Sequence, residues 1–174
     1  MKPIPLDELE SLCRKLFPFP TPNPGQMEAI LFAVDSILKG KRHVILELPT
    51  ALGKSAIAYT VHNVLKTLHP NHRSQIVTAT SGLHDQYVKT VSGVYDLKGK
   101  TNYACPLGHG FYGTPKCKQA CHSGGCNPKG QCPYIIRREN WINEAQFRLT
   151  NNAFVCNAPY SMVGDHLEGK RANL

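Results

Sequence analysis

The chain has 174 residues, with 20 Lys and Arg against 12 Asp and Glu, so its formal net charge is +8 and it favours a polyanionic partner such as nucleic acid. That length suits one ordinary domain with a sizeable core, or one domain carrying a small insertion, and excludes a two-domain motor. No apolar run approaches membrane-spanning length, and the N-terminal "MKPIPLDELESLCRKLF" mixes acids with apolar residues as an amphipathic helix does, not a secretory signal. A cytoplasmic protein with no membrane contact is expected.

Leu6, Leu9, Leu12 and Leu16 have helical spacing, and the prolines of "FPFPTPNPG" separate that helix from a second one bearing Ile30, Leu31, Val34, Ile37 and Leu38. "HVILEL", from His43 to Leu48, is a short β-branched apolar run that predicts a buried parallel strand. "KSAIAYTVHNVLKTL" returns to helical periodicity. "SQIVTAT" predicts a second strand, and "SGLHDQYVKTV" a helix opened by Ser81. From about Asp96 to Pro133 glycine, proline, lysine and cysteine dominate and large aliphatic residues nearly vanish, so this segment cannot build its own core. "YIIRRENWINEAQFRL" then predicts a helix and "AFVCN" a strand. Alternating strands and helices imply an α/β domain with a parallel sheet, interrupted by a Cys-rich insertion.

Gly53-Lys54-Ser55 is the end of a phosphate-binding loop, although Leu48 stands where the usual signature has its first glycine. ATP binding needs successive backbone N–H groups aimed at phosphate oxygens, a lysine reaching the β and γ phosphates, and a hydroxyl on Mg²⁺. The triplet acquires meaning from its context, following an expected strand and opening an expected helix. Five of the seven cysteines crowd between Cys105 and Cys132. In a reducing compartment that clustering suggests metal before disulfides. The last four, Cys117, Cys121, Cys126 and Cys132, lie at C-x3-C, C-x4-C and C-x5-C intervals, without the C-x2-C hook usual for structural zinc. An iron–sulfur cluster on four thiolates is compatible with such a loop. Cys13 and Cys156 sit in apolar segments and read as buried small hydrophobes, while Asp85 and Asp165 read as surface residues.

"PTALGKS" resembles the phosphate loop of superfamily 2 helicases, P-T-G-x-G-K-[ST], with Ala51 in place of a glycine. If that position needs positive φ, alanine is strained there by roughly 1 kcal/mol. "NPGQMEAI" resembles the adenine-reading element of the same superfamily, with Gln26 as the reading residue, and "VTATSGLHDQ", with Thr78 and Thr80, is similar to motif Ia, which contacts the nucleic-acid backbone. The segment introduced by "KGKTNYAC" and closed by "CPY" resembles the iron–sulfur domain of XPD/DinG-like helicases, and "NNAFVCNAPYSM" the strand preceding that family's ATPase acidic box.

The resemblance runs from about Phe17 to the C-terminus and implies a RecA-like P-loop NTPase fold. Its parts would be residues 1–95 (first part of the motor domain), 96–133 (iron–sulfur insertion) and 134–174 (return to the motor domain, ending before the DEAH box). It implies a nucleotide site at Gln26, Pro49, Thr50, Ala51, Leu52, Gly53, Lys54 and Ser55, with Lys54 and Ser55 serving catalysis on ATP and Mg²⁺. It implies a 4Fe-4S cluster on Cys105, Cys121, Cys126 and Cys132. Cys117 is spare or replaces Cys121, and His109 or His122 takes part if the metal is zinc. The implied function is that of the N-terminal portion of an ATP-dependent DNA helicase acting on single-stranded or forked DNA, with its C-terminal motor half in the same or another chain. The rival is a non-catalytic, zinc-stabilised nucleic-acid-binding module with a vestigial phosphate loop. A redox or metal-sensing regulator rests on the cysteines alone.

Overall fold

A computed structural model describes residues 4–99, 102–105 and 132–151. In chain order they form α1 (Leu6–Leu16), α2 (Gln26–Leu38), α3 (Lys54–Leu68), β1 (Ser74–Thr78), α4 (Ser81–Thr90), β2 (Tyr95–Asp96), α5 (Pro133–Asn143) and β3 (Phe147–Asn151). The fold is mixed α/β with a small three-stranded sheet in the order β1-β3-β2, in which β2 and β3 run parallel with Tyr95 opposite Arg148 and Asp96 opposite Leu149. The chain divides into two compact units, residues 1–74 with 87–93, and residues 75–86 with 94–174.

The first unit is built on α1, α2 and α3. Asp7 and Glu8 lie in the first turn of α1 and Arg14 and Lys15 in its last, the arrangement that complements the helix dipole. Its 3.6-residue periodicity places Leu9 and Cys13 inward, where they meet Ile30 and Val34 of α2 and Ile57, Val64 and Leu65 of α3. Ile30, Val34 and Val64 are fully enclosed, each worth about 1.5–3 kcal/mol of burial. Leu12 and Leu16 pack at the edge of this core, whereas Leu6 is exposed. Cys13 is a buried small hydrophobe, as its surroundings in the sequence predict. Burial, helped by Glu10, pushes its thiol up to about 11.

The run His43 to Leu48 departs from expectation, because it forms no strand. Val44, Leu46 and Leu48 turn partly inward, with Leu46 and Leu48 against the helical core, while His43, Ile45 and Glu47 face outward and Ile45 is 90% exposed. The segment therefore has the period of a strand and one covered face. Among the described residues it has no neighbouring strand to complete a ladder, and a ladder is what separates a strand from an extended chain.

In the second unit, β3 supplies the centre of the sheet. Leu97 N–H donates to Leu149 O at 2.9 Å, Thr150 Oγ1 to Leu97 O at 3.2 Å, and Thr78 Oγ1 to Thr150 O at 3.3 Å. Trp141 of α5 packs with Leu97, Tyr134 and Cys132 in a second, aromatic core, and its indole N–H donates to Leu149 O at 3.3 Å. α5 stops at Asn143, so the expected longer helix is corrected: Phe147 to Asn151 is strand. Trp141, Ala145 and Leu149 repeat every four residues and mimic a helix in sequence. Yet Phe147, Arg148, Leu149 and Thr150 are all buried, the signature of a strand covered on both faces. The expected strand at 153–157 lies outside the described residues, as does Cys156. α4 begins at Ser81 as predicted, but the residue that caps it is Thr80, whose hydroxyl accepts the Leu83 N–H at 3.3 Å.

Candidate nucleotide-binding loop and cysteine neck

The phosphate loop belongs wholly to the first unit. Pro49 to Leu52 make a turn, with Leu52 N–H directed at Pro49 O (3.4 Å), and Ala51 has φ +69°. The strain expected at this alanine is therefore present, and a left-handed alanine costs roughly 1–2 kcal/mol. Gly53 follows at φ +79° and ψ +48° and stands as the cap of α3. Its carbonyl accepts the N–H groups of Ala56 (3.0 Å) and Ile57 (3.3 Å), which starts the helix. No side chain caps that end. The amides of Gly53, Lys54 and Ser55 are thus the helix-terminal donors that an anion recruits, aided by the positive end of the helix dipole. Lys54 is exposed beside them and Ser55 is half-buried.

Gln26, 26 residues upstream of Leu52, is brought directly onto this loop. It opens α2 after Gly25, whose φ of +83° lets the chain turn into the helix, and its side chain is 3% exposed. Oε1 accepts the Asn23 N–H at 2.6 Å, and Nε2 donates to Leu52 O at 2.6 Å and to Gly53 O at 3.3 Å. Gln26 and Pro49 to Ser55, drawn from two separate segments of the sequence, are thereby assembled in one place. Asn23 is the member that sequence reasoning missed, since its contribution is a backbone N–H.

Of the cysteines, Cys105 and Cys132 lie in the second unit as free thiols, half-buried and buried respectively, and Cys117, Cys121 and Cys126 lie outside the described residues, with His109 and His122. Tyr103 and Tyr134 meet edge to face, with ring centroids 5.5 Å apart, two residues from each thiol. That contact joins the residues that precede the Cys-rich segment to those that follow it. Burial raises both tyrosine pKa values, so both rings enter the core as neutral phenols. Among the described residues no group of three or more ligating side chains is gathered.

The residues similar to motif Ia also lie in the second unit. Thr78 is spent on Thr150 O, and Thr80 on the α4 cap. Beside them is a charged network that went unrecognised in the sequence. Arg137 of α5 pairs with the Asp96 carboxylate, donates to Asp96 O at 3.0 Å and lies over the Tyr95 ring at 4.0 Å. Burial opposes the Arg137 charge, but the Asp96 partner outweighs it and its pKa is raised. Lys98 pairs with Asp85 at 2.7 Å, a bond that raises the lysine pKa. His84, 2% exposed, approaches Asp96 at 3.6 Å, yet burial dominates and lowers its pKa. No helix of the described residues is long and apolar enough to cross a membrane. Compared with known protein families and with curated proteins, the chain matches none.

Proposed function

We propose that the first unit binds the triphosphate of a nucleotide, and that the chain is the N-terminal motor portion of an ATP-dependent DNA helicase of the XPD/DinG-like kind. The observation carrying this reading is the loop itself, where a left-handed Gly53 caps α3 with Lys54 and Ser55 as its first helical residues and Gln26 docked behind. This is the geometry in which backbone N–H groups cradle phosphate oxygens, a lysine neutralises them and a hydroxyl reaches Mg²⁺. The preference for ATP among triphosphates rests on the resemblance, as do strand separation and translocation on single-stranded or forked DNA.

Thiolates are the donors that a metal in the Cys-rich segment would use. Two free thiols, Cys105 and Cys132, flank that segment two residues from a contacting tyrosine pair, and they would be the outer pair of a four-thiolate set with Cys121 and Cys126. A 4Fe-4S cluster there would order a segment too poor in apolar residues to order itself. Isothermal titration with ATP–Mg²⁺ tests the nucleotide site. Saturable binding lost in Lys54→Ala is expected, and heat that Lys54→Ala leaves unchanged refutes it. The strained Ala51 favours a second reading, a zinc-stabilised nucleic-acid-binding module whose phosphate loop is vestigial. Zinc without sulfide, combined with no nucleotide binding, selects that reading.

A further inference from the structure

Gln26 has little left with which to read a base. Its carboxamide orientation is set by chemistry, since the opposite flip would face the oxygen with two carbonyls and the NH₂ with an N–H. Both Nε2 hydrogens are directed at protein oxygens, Leu52 O at 2.6 Å and Gly53 O at 3.3 Å, and Oε1 is engaged by the Asn23 N–H. The fit extends to Gly53, where a Cβ would collide with Nε2. The glycine is therefore required for the docking of the glutamine as well as for its own positive φ.

Peptide planarity gives this docking a consequence. The peptide bonds here are trans, so each carbonyl points opposite to the N–H that shares its plane. Holding the oxygens of Leu52 and Gly53 against Gln26 turns the N–H groups of Gly53 and Lys54 to the other side. Those two amides belong to the set on which an anion at this helix end would sit. We infer that Gln26 is a positioning residue that presets the phosphate-binding amides, so that it governs affinity for the triphosphate chain whatever base is attached. This deepens the proposed nucleotide reading and rests on it.

The test compares wild type, Gln26→Met and Gln26→Glu for binding of ATP–Mg²⁺, GTP–Mg²⁺ and inorganic tripolyphosphate–Mg²⁺. Both variants keep the length of the side chain and remove the two donated hydrogens. Equal losses of about tenfold for all three ligands are expected, the size of one to two good hydrogen bonds. A loss confined to ATP overturns the inference and makes Gln26 a base reader, and no loss for any ligand overturns it as well. A further signature separates positioning from mere packing. The Gln26→Glu loss narrows from about pH 7.5 to about pH 5.5, where the introduced carboxyl, faced by two carbonyls, takes up a proton and donates again, while the Gln26→Met loss stays level. Backbone order parameters without nucleotide keep the inference testable should wild type bind no triphosphate, which would sink the nucleotide reading alone. In that experiment the order parameters of the 53–55 amides fall in both variants while those of Val34 and Val64 stay level, and unchanged values at 53–55 overturn the inference.

Discussion

His62 lies on the inner side of α3, about two turns beyond Lys54, and is 3% exposed. Burial, then His72 with its ring centroid 5.8 Å away, then Lys66, lower its pKa from 6.5 to about 4. The folded state thus keeps this imidazole neutral, whereas the unfolded chain protonates it as the pH drops below 6.5. The associated stability is complete above pH 6.5 and is lost progressively as the pH falls towards 4. At about 1.36 kcal/mol per pH unit the whole window is worth roughly 3 kcal/mol, and about 2 kcal/mol of it has gone by about pH 5. Against a total of about 5–15 kcal/mol for a small domain, that loss is measurable. Urea unfolding of wild type and His62→Gln at about pH 7.5 and about pH 5 isolates the term, because carboxylates titrate alike in both proteins. Whatever the offset between the two at the higher pH, wild type should lose about 2 kcal/mol more than the variant on acidification. Equal losses would show that His62 is not held neutral in the folded state.

Ala51→Gly removes the left-handed strain but loosens the unfolded chain, so a net gain of roughly 0.5–1 kcal/mol in urea unfolding is expected, with triphosphate affinity undiminished; destabilisation would mean that Ala51 is not held at positive φ. Asp96→Asn removes the charge opposite Arg137, at a partly exposed site, and should cost roughly 1–2 kcal/mol, read by thermal unfolding of the second unit. Anaerobically purified protein should contain iron and acid-labile sulfide, lost in Cys105→Ser and Cys132→Ser; stoichiometric zinc without sulfide would contradict it. Single-stranded DNA should bind with a log–log salt slope of about −0.7 per phosphate contact, and salt-indifferent binding would remove nucleic acid as partner. Lys98, paired with Asp85 at 2.7 Å, should contribute less to that slope than a lysine without an acidic partner.

What could be read from the residue pattern was governed by local rules. α1, α2, α3 and α4 followed from apolar periodicity and proline breaks, and α3 begins at Lys54 as its loop requires. Strain at Ala51 was expected only if that position takes a positive φ, and the structure gives it one. Where a feature depends on a distant partner, the pattern misled or was silent. "HVILEL" has strand composition, but a strand also needs a neighbour, and Ile45 is exposed in the absence of one among the described residues. The end of α5 was hidden because Trp141, Ala145 and Leu149 keep a helical interval across a turn that only the sheet explains. Gln26 was singled out by the resemblance, but its attachment to Leu52 O and Gly53 O was not legible, since backbone oxygens carry no sequence signal.

A triphosphate site at the N-terminus of α3 would be seen in the backbone amide resonances during titration with ATP–Mg²⁺. Saturable shifts centred on Gly53, Lys54 and Ser55 are expected, absent in Lys54→Ala and reproduced by tripolyphosphate–Mg²⁺. Shifts that spare these three amides, or that persist in Lys54→Ala, would contradict it.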